Sequence, residues 1–293
     1  MFKKFFVTQK QLNDINFFFS LKESDYPCIF KKICYENTRE KLNLSNPKTF
    51  LDKINWLKFK DKNPLRSVFV NKLLVREWII EQCGEEYLPK IYQVCENFDA
   101  INFDDLPEKF MIKMNHAPNW EYGIKSKEQL LNEKILFTFI KQKFDNWQKN
   151  SYVVPSLFEL CYKNIKPLLL IQEYFSYSEK KEFGIYCFNG KPKFSELMMN
   201  NQTKVCIYDE NFEESEYTFT PLIKKEFIEP TAEMKKAFEL SKKLSKDFKF
   251  VRVDWEIMDG KLYFDKMNFV PYSGLIIFED ENWNKELGEL IKL

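Results

Sequence analysis

Arg252, Asp254 and Glu256 alternate with apolar Val251, Val253, Trp255 and Ile257. A strand through them therefore carries one guanidinium and two carboxylates on one face, because strand side chains alternate with period two. Asp259-Gly260 follows, between two alternating apolar runs, and this is the sequence signature of a tight hairpin. With a two-residue turn, the return strand sets Asp265 directly opposite Asp254. Two like charges across a pair repel unless a cation lies between them. A hard divalent ion such as magnesium takes one or two carboxylates plus substrate phosphates. Asn268, on the same return strand, adds a neutral amide oxygen. The spacing thus offers Asp254, Asp265 and Asn268 as metal ligands; the plainer alternative is an edge hairpin with a solvated acidic face.

Several other chemistries are excluded. His116 is the sole histidine, so a zinc helix with two histidines cannot form, and no serine lies in a Gly-x-Ser-x-Gly elbow. The seven glycines, at 84, 123, 184, 190, 260, 274 and 288, are too scattered for a Walker loop or a dinucleotide fingerprint. Seven cysteines without a CxxC spacing read as reduced thiols rather than a disulfide framework or zinc site. Lysine plus arginine (45) nearly balances aspartate plus glutamate (44), so no global field favours nucleic acid. The segment Met1-Phe-Lys-Lys-Phe-Phe-Val7 is too short for a signal peptide, and no run of about 20 apolar residues exists to span a membrane. The expectation is a soluble cytoplasmic protein.

The elements that must position these residues form an α+β pattern. Residues 1 to about 105 read as mostly helical, with one helix over 46–57 and a second over 68–82, broken apart at Asn63-Pro64. The second places Lys72 and Arg76 four residues apart, usually a solvated face and alternatively a phosphate contact. Phe110–Asn115 reads as a strand with Lys113 in its middle. Helices are expected over about 126–148, 155–164 and 231–245. Leu168–Phe175 reads as a buried strand ending at Gln172 and Glu173, and Asn189-Gly190 marks a second hairpin.

Taken in order, these segments resemble the ATP-grasp superfamily, most closely its TupA-like branch, known from bacterial surface-polysaccharide gene clusters. The matching pieces are Asn46-Pro-Lys-Thr-Phe50, Ile54-Asn-Trp-Leu57, Asn63-Pro64, Val75-Arg-Glu77, Gly84-Glu-Glu-Tyr-Leu88, Lys113-x-Asn-His116, Asn164-Ile-Lys-Pro167, Cys187-Phe-Asn-Gly-Lys-Pro-Lys-Phe194, Phe250-Val-Arg-Val-Asp254 and the Pro-x-Ser-Gly ending at Gly274. The resemblance implies a helical region over 1–105 and an ATP-grasp-like domain over 106–293, its first lobe about 106–172 and its second about 173–293. It implies that Lys113 reaches ATP phosphates, that Gln172 and Glu173 hold adenine and ribose, and that Arg252 braces charge during phosphoryl and acyl transfer. Asp254 and Asn268 would hold magnesium on the triphosphate.

Three positions depart from that pattern. The glycine-rich loop after the Asn-His pair is Ala117-Pro-Asn-Trp120, and a basic residue before Cys187 is replaced by Gly184. The carboxylate expected two residues before Asn268 is Lys266, whose ammonium would repel magnesium or stand in for its charge against the phosphates; Asp265 could take over if the strand is unbulged. The implied function is an ATP-dependent carboxylate–amine ligase of capsule or other surface-glycan biosynthesis, working through an acyl phosphate on a small-molecule or glycan acceptor, in possible association with glycan-assembly enzymes. The alternatives are a glycan transferase with a nucleotide-sugar donor, in which Lys266 is a catalytic cation, and a non-catalytic nucleotide-binding relative.

Overall fold

The structure, a computed structural model, describes residues 18, 20–175, 180–199, 204–217 and 224–293; the segment 1–7 lies outside these. The helical region contains α1 (Tyr26–Thr38), α2 (Phe50–Lys60), α3 (Leu65–Val70) and α4 (Val75–Gln82). The start of α2 is fixed by a capping box, in which the Thr49 hydroxyl accepts from the Asp52 amide while the Asp52 carboxylate accepts from the Thr49 amide. The helix expected over 68–82 is two, because the Asn71 side chain accepts from the Leu73 amide at 3.0 Å and replaces the helical pattern there. Lys72 falls in this break rather than on a helix face shared with Arg76.

Two sheets follow, antiparallel throughout except where Lys224–Lys225 pairs in parallel with Lys204–Asp209 at one edge of the second. The first has the order β1-β4-β2-β3, built from β1 (Ile91–Cys95), β2 (Phe110–Met114), β3 (Glu121–Ile124) and β4 (Leu169–Glu173). It is covered by α5 (Lys127–Asn132) and α6 (Lys134–Lys149), which divide the helix expected over 126–148 at Glu133. The second sheet has the order β10-β9-β5-β6-β7-β8. Its strands are β5 (Lys181–Phe188), β6 (Lys191–Met199), β7 (Lys204–Asp209), β8 (Lys224–Lys225), β9 (Phe250–Met258) and β10 (Lys261–Asn268), with α7 (Ala232–Leu244) and α8 (Glu281–Leu290) alongside. Both hairpins turn as the sequence implies: Asn189 and Gly190 have φ 47° and 79°, Asp259 and Gly260 φ 49° and 69°, the mirror-image turn that matches strand twist. The fold class is α+β, as expected.

Each sheet has its own core. Phe98, Phe110, Ile112, Ile140, Phe144 and Ile171 fill the first. The second is larger and joins α1–α4 to the six-stranded sheet through Phe30, Phe50, Ile54, Ile79, Trp255 and Phe250. No helix forms over 155–164 beyond the short turn Leu160–Tyr162, because Leu157 and Phe158 take φ 55° and 74°. That conformation carries the Phe158 ring inward, where it stacks on Tyr26 at 4.4 Å.

Candidate functional site

Several recognised segments prove to be contacts with one another. Asn115 donates to the Lys166 carbonyl at 3.0 Å and accepts from the Leu168 amide at 2.8 Å, tying the Asn-His pair to the segment entering β4. Asn55 of α2 donates to the Gly274 carbonyl at 3.2 Å, and a Cβ on Gly274 would lie 2.3 Å from its Oδ1, so only glycine fits that approach. The loop over 117–120 lacks glycine but is pinned. Lys72 donates to the Ala117 carbonyl at 2.7 Å, and Trp120 stacks on Trp147 with ring centroids 5.7 Å apart. Arg76 is used elsewhere, on the Pro89 carbonyl at 2.8 Å.

The register of β9 and β10 corrects one expectation. Met258 pairs with Lys261 as a two-residue turn requires, but a bulge after Phe264 shifts the ladder by one residue. Lys266, not Asp265, lies opposite Asp254, and Asn268 lies opposite Arg252. A one-residue slip exchanges the faces of all that follows. A second bulge on the β5–β6 ladder, between the Cys187–Pro192 and Tyr186–Phe194 pairs, sets Glu196 rather than Ser195 opposite Gly184, while Gly184 is opposite Asp254. One row across four strands therefore reads Glu196, Gly184, Asp254, Lys266.

Charges alternate along this row. Because Gly184 has no side chain, Arg252 folds across it; a Cβ there would meet Arg252 Cδ at 2.9 Å. The Arg252 guanidinium forks onto Asp254, Nε to Oδ1 at 2.6 Å and Nη2 to Oδ2 at 2.9 Å, and its Nη1 lies 3.5 Å from Glu196 Oε2. Tyr186 donates to the same Glu196 oxygen at 2.8 Å and Tyr272 donates to the other. Lys266 Nζ lies 3.5 Å from Asp254 Oδ2 and 2.5 Å from Asp265 Oδ2. Around the row stand Lys180, 2.5 Å from Glu256, and Lys113 of the first sheet, 3.0 Å from Glu121.

Electrostatics across the two sheets favour the charged forms of Lys266, Lys113 and Asp265. Burial pulls the Lys266 and Lys113 ammonium groups down, but nearby carboxylates outweigh it and set both above the ordinary lysine value: Asp265 and Asp254 for Lys266, and Glu121, Glu256 and Asp265 for Lys113. Burial pushes Asp265 up, and Lys266, Lys180 and Lys113 more than reverse it, leaving the carboxyl well below its usual range. Lys72 has weaker support, and burial brings it down to about 8. Gln172 and Glu173 close β4, where Glu173 exchanges hydrogen bonds with Lys90, and Phe175 beyond them packs on Tyr263 of β10 with ring centroids 4.7 Å apart.

The residues present do not fit a magnesium ion. Arg252 engages both oxygens of Asp254, Asp265 is paired with Lys266, and Asn268 Oδ1 accepts from the Val270 amide at 3.2 Å. Among the described residues no group of three or more His, Cys, Asp or Glu could hold a metal. Glu196, Tyr186, Tyr272, Glu121, Lys180 and Lys72 complete the constellation. Of these the sequence singles out only Lys72; the others reach the site through strand registers and tertiary contacts that it does not spell out.

A family model of the TupA-like ATP-grasp matches residues 52–292. No functionally curated protein matches the chain. Among solved structures, D-alanine–D-alanine ligase from Helicobacter pylori aligns with 14% identity and TM-score 0.42, over 77% of this chain and 62% of that one. Phosphoribosylamine–glycine ligase from Thermotoga maritima aligns with 12% identity and TM-score 0.44, over 74% and 54%. L-amino acid ligase from Bacillus licheniformis aligns with 12% identity and TM-score 0.43, over 72% and 45%. The chain thus spans less than two thirds of the length of each of these ligases. Among the described residues no helix is long and apolar enough to cross a membrane.

Proposed function

The chain belongs to the TupA-like ATP-grasp family, and from that premise we propose that it binds ATP between its two sheets and joins a carboxylate to an amine. In this reading a carboxylate oxygen of the acceptor attacks the γ-phosphorus, and ADP departs with the electron pair of the broken P–O bond. The amine nitrogen then attacks the acyl carbon, phosphate leaves, and the nitrogen gives its proton to solvent. Lys113 and Lys266 take phosphate oxygens, Arg252 faces the charge developing at the transferred group, and Gln172 and Glu173 hold the adenosine end. The acceptor is a sugar acid or related glycan of the cell surface, and the amine an amino acid or small amine. The observation that carries this reading is the convergence of Lys113 from one sheet with Arg252 and Lys266 from the other, Arg252 buried and the two lysines partly shielded, each held in its charged form by neighbouring carboxylates.

A second reading has an observation of its own. Each cation of the alternating row already faces a carboxylate, as suits a relative that binds a nucleotide without turning it over. Thermal shift separates the possibilities, since a ligand that binds only the folded state at 100 times its Kd adds about 2.7 kcal/mol. The melting temperature is expected to rise with ATP and not with a UDP-sugar; the reverse result would favour a transferase. Hydroxylamine trapping of an acyl phosphate, with ADP release measured against a panel of sugar acids, then tests ligation. ATP binding without any trapped hydroxamate would favour the second reading.

A further inference from the structure

The mismatch between this site and a divalent ion is built into the backbone rather than left to side-chain choice. The bulge in β10 turns Lys266 toward Asp254 in the place that an unbulged ladder gives to a carboxylate. Gly184 then leaves the space in which the Arg252 fork closes on both oxygens of Asp254. The Asn268 amide completes the enclosure by donating to Asp254 Oδ2 at 3.5 Å. An incoming cation would meet an ammonium and a guanidinium where it needs free oxygen lone pairs. An incoming phosphate meets the same ammonium, which has Asp265 as its close partner at 2.5 Å. A phosphate oxygen can replace that carboxylate like for like.

We propose that Lys266 stands in for a divalent cation, so that the cleft holds the phosphates of its nucleotide directly on fixed protein cations without requiring a metal ion. This rests on the reading that a nucleotide occupies the cleft, and deepens it. In a metal-dependent site the ion must be supplied with the ligand. Here the charge is covalently part of β10, and Asp265 serves as the internal anion that keeps it in place until a phosphate arrives.

The test is calorimetric titration of ATP into the full chain, once in excess EDTA and once in excess magnesium. The expected dissociation constants agree within about threefold, well under the tenfold that corresponds to 1.4 kcal/mol. Binding tighter by tenfold or more with magnesium would overturn the inference while leaving the nucleotide reading intact. No binding in either buffer would sink both. Two variants sharpen the result, their folding checked by circular dichroism. Asp265→Asn removes the competing anion and should tighten ATP binding in EDTA, whereas weaker binding would count against the exchange. Lys266→Glu should lose affinity in EDTA by at least about tenfold and gain binding of manganese added alone. Unchanged affinity in EDTA would show that Lys266 is not the phosphate contact.

Discussion

At the scale of single residues, the site is a set of cations whose charges are secured by neighbours. Lys113 is the clearest case. Its side chain is mostly buried, at 13% exposure, and Glu121 beside it is 19% exposed. Removing one partner of a buried pair leaves an uncompensated charge, which costs about 3–5 kcal/mol when burial is complete and less for a pair as exposed as this one. Lys113→Met is therefore expected to lower stability by roughly 2 kcal/mol and to weaken ATP binding. The double variant Lys113→Met, Glu121→Gln should recover most of the stability and none of the affinity. Urea unfolding together with calorimetry separates the two effects. Recovery of affinity in the double variant would make Lys113 a structural cation only.

At the scale of elements, two one-residue bulges decide the chemistry. The sequence makes both hairpins, their turns and the faces of β9 legible, because Asn-Gly and Asp-Gly fix mirror-image turns and apolar alternation fixes the buried side. It does not disclose a bulge, since an extra residue leaves the alternation looking intact for the few residues on either side. Pro192, beside the shift in β6, is a hint, as proline in a strand favours an edge or a bulge. Nothing comparable marks Asp265. The helices show the same division: periodicity locates α7 closely and α2 roughly, its expected start at 46 lying four residues before the capped start at Phe50, whereas the breaks at Asn71 and Glu133 depend on side-chain hydrogen bonds and packing. Gly184 is the element-scale position most open to test, because its φ is unexceptional and it is the closeness of the Arg252–Asp254 pair that crowds a side chain there. Gly184→Ala should force Arg252 off Asp254 and cost about 1–3 kcal/mol, the usual penalty for overpacking. An unchanged melting temperature would mean that Arg252 moves aside freely and that the fork on Asp254 contributes little.

At the scale of the whole molecule, a second buried charge group joins the helical region to the end of the hairpin. Lys58 of α2 donates to the Ser273 carbonyl at 3.2 Å and lies 3.6 Å from the centroid of the Phe30 ring. Burial pulls this ammonium down to about 7, against the pull of Glu159. Burial likewise pushes the Glu159 carboxyl up to about 7, against Lys58 and Arg66. These shifts make folding stability depend on pH in opposite senses. Between about 4.5 and about 7 the folded Glu159 keeps a proton that the unfolded chain has lost, so stability falls as pH rises. Between about 7 and about 10.5 the folded Lys58 has lost a proton that the unfolded chain keeps, so stability rises. The two contributions meet in a minimum near neutrality. Glu159→Gln cannot ionise and should remove the falling limb, so that its stability relative to the parent improves by up to roughly 3 kcal/mol across that window. Urea unfolding of both proteins at intervals from pH 4.5 to 7 measures that difference. A difference that stays flat across the window would mean that Glu159 ionises as easily in the folded chain as in the unfolded one, and the packing of α2 against the Tyr272–Ser273 turn would then owe nothing to its proton.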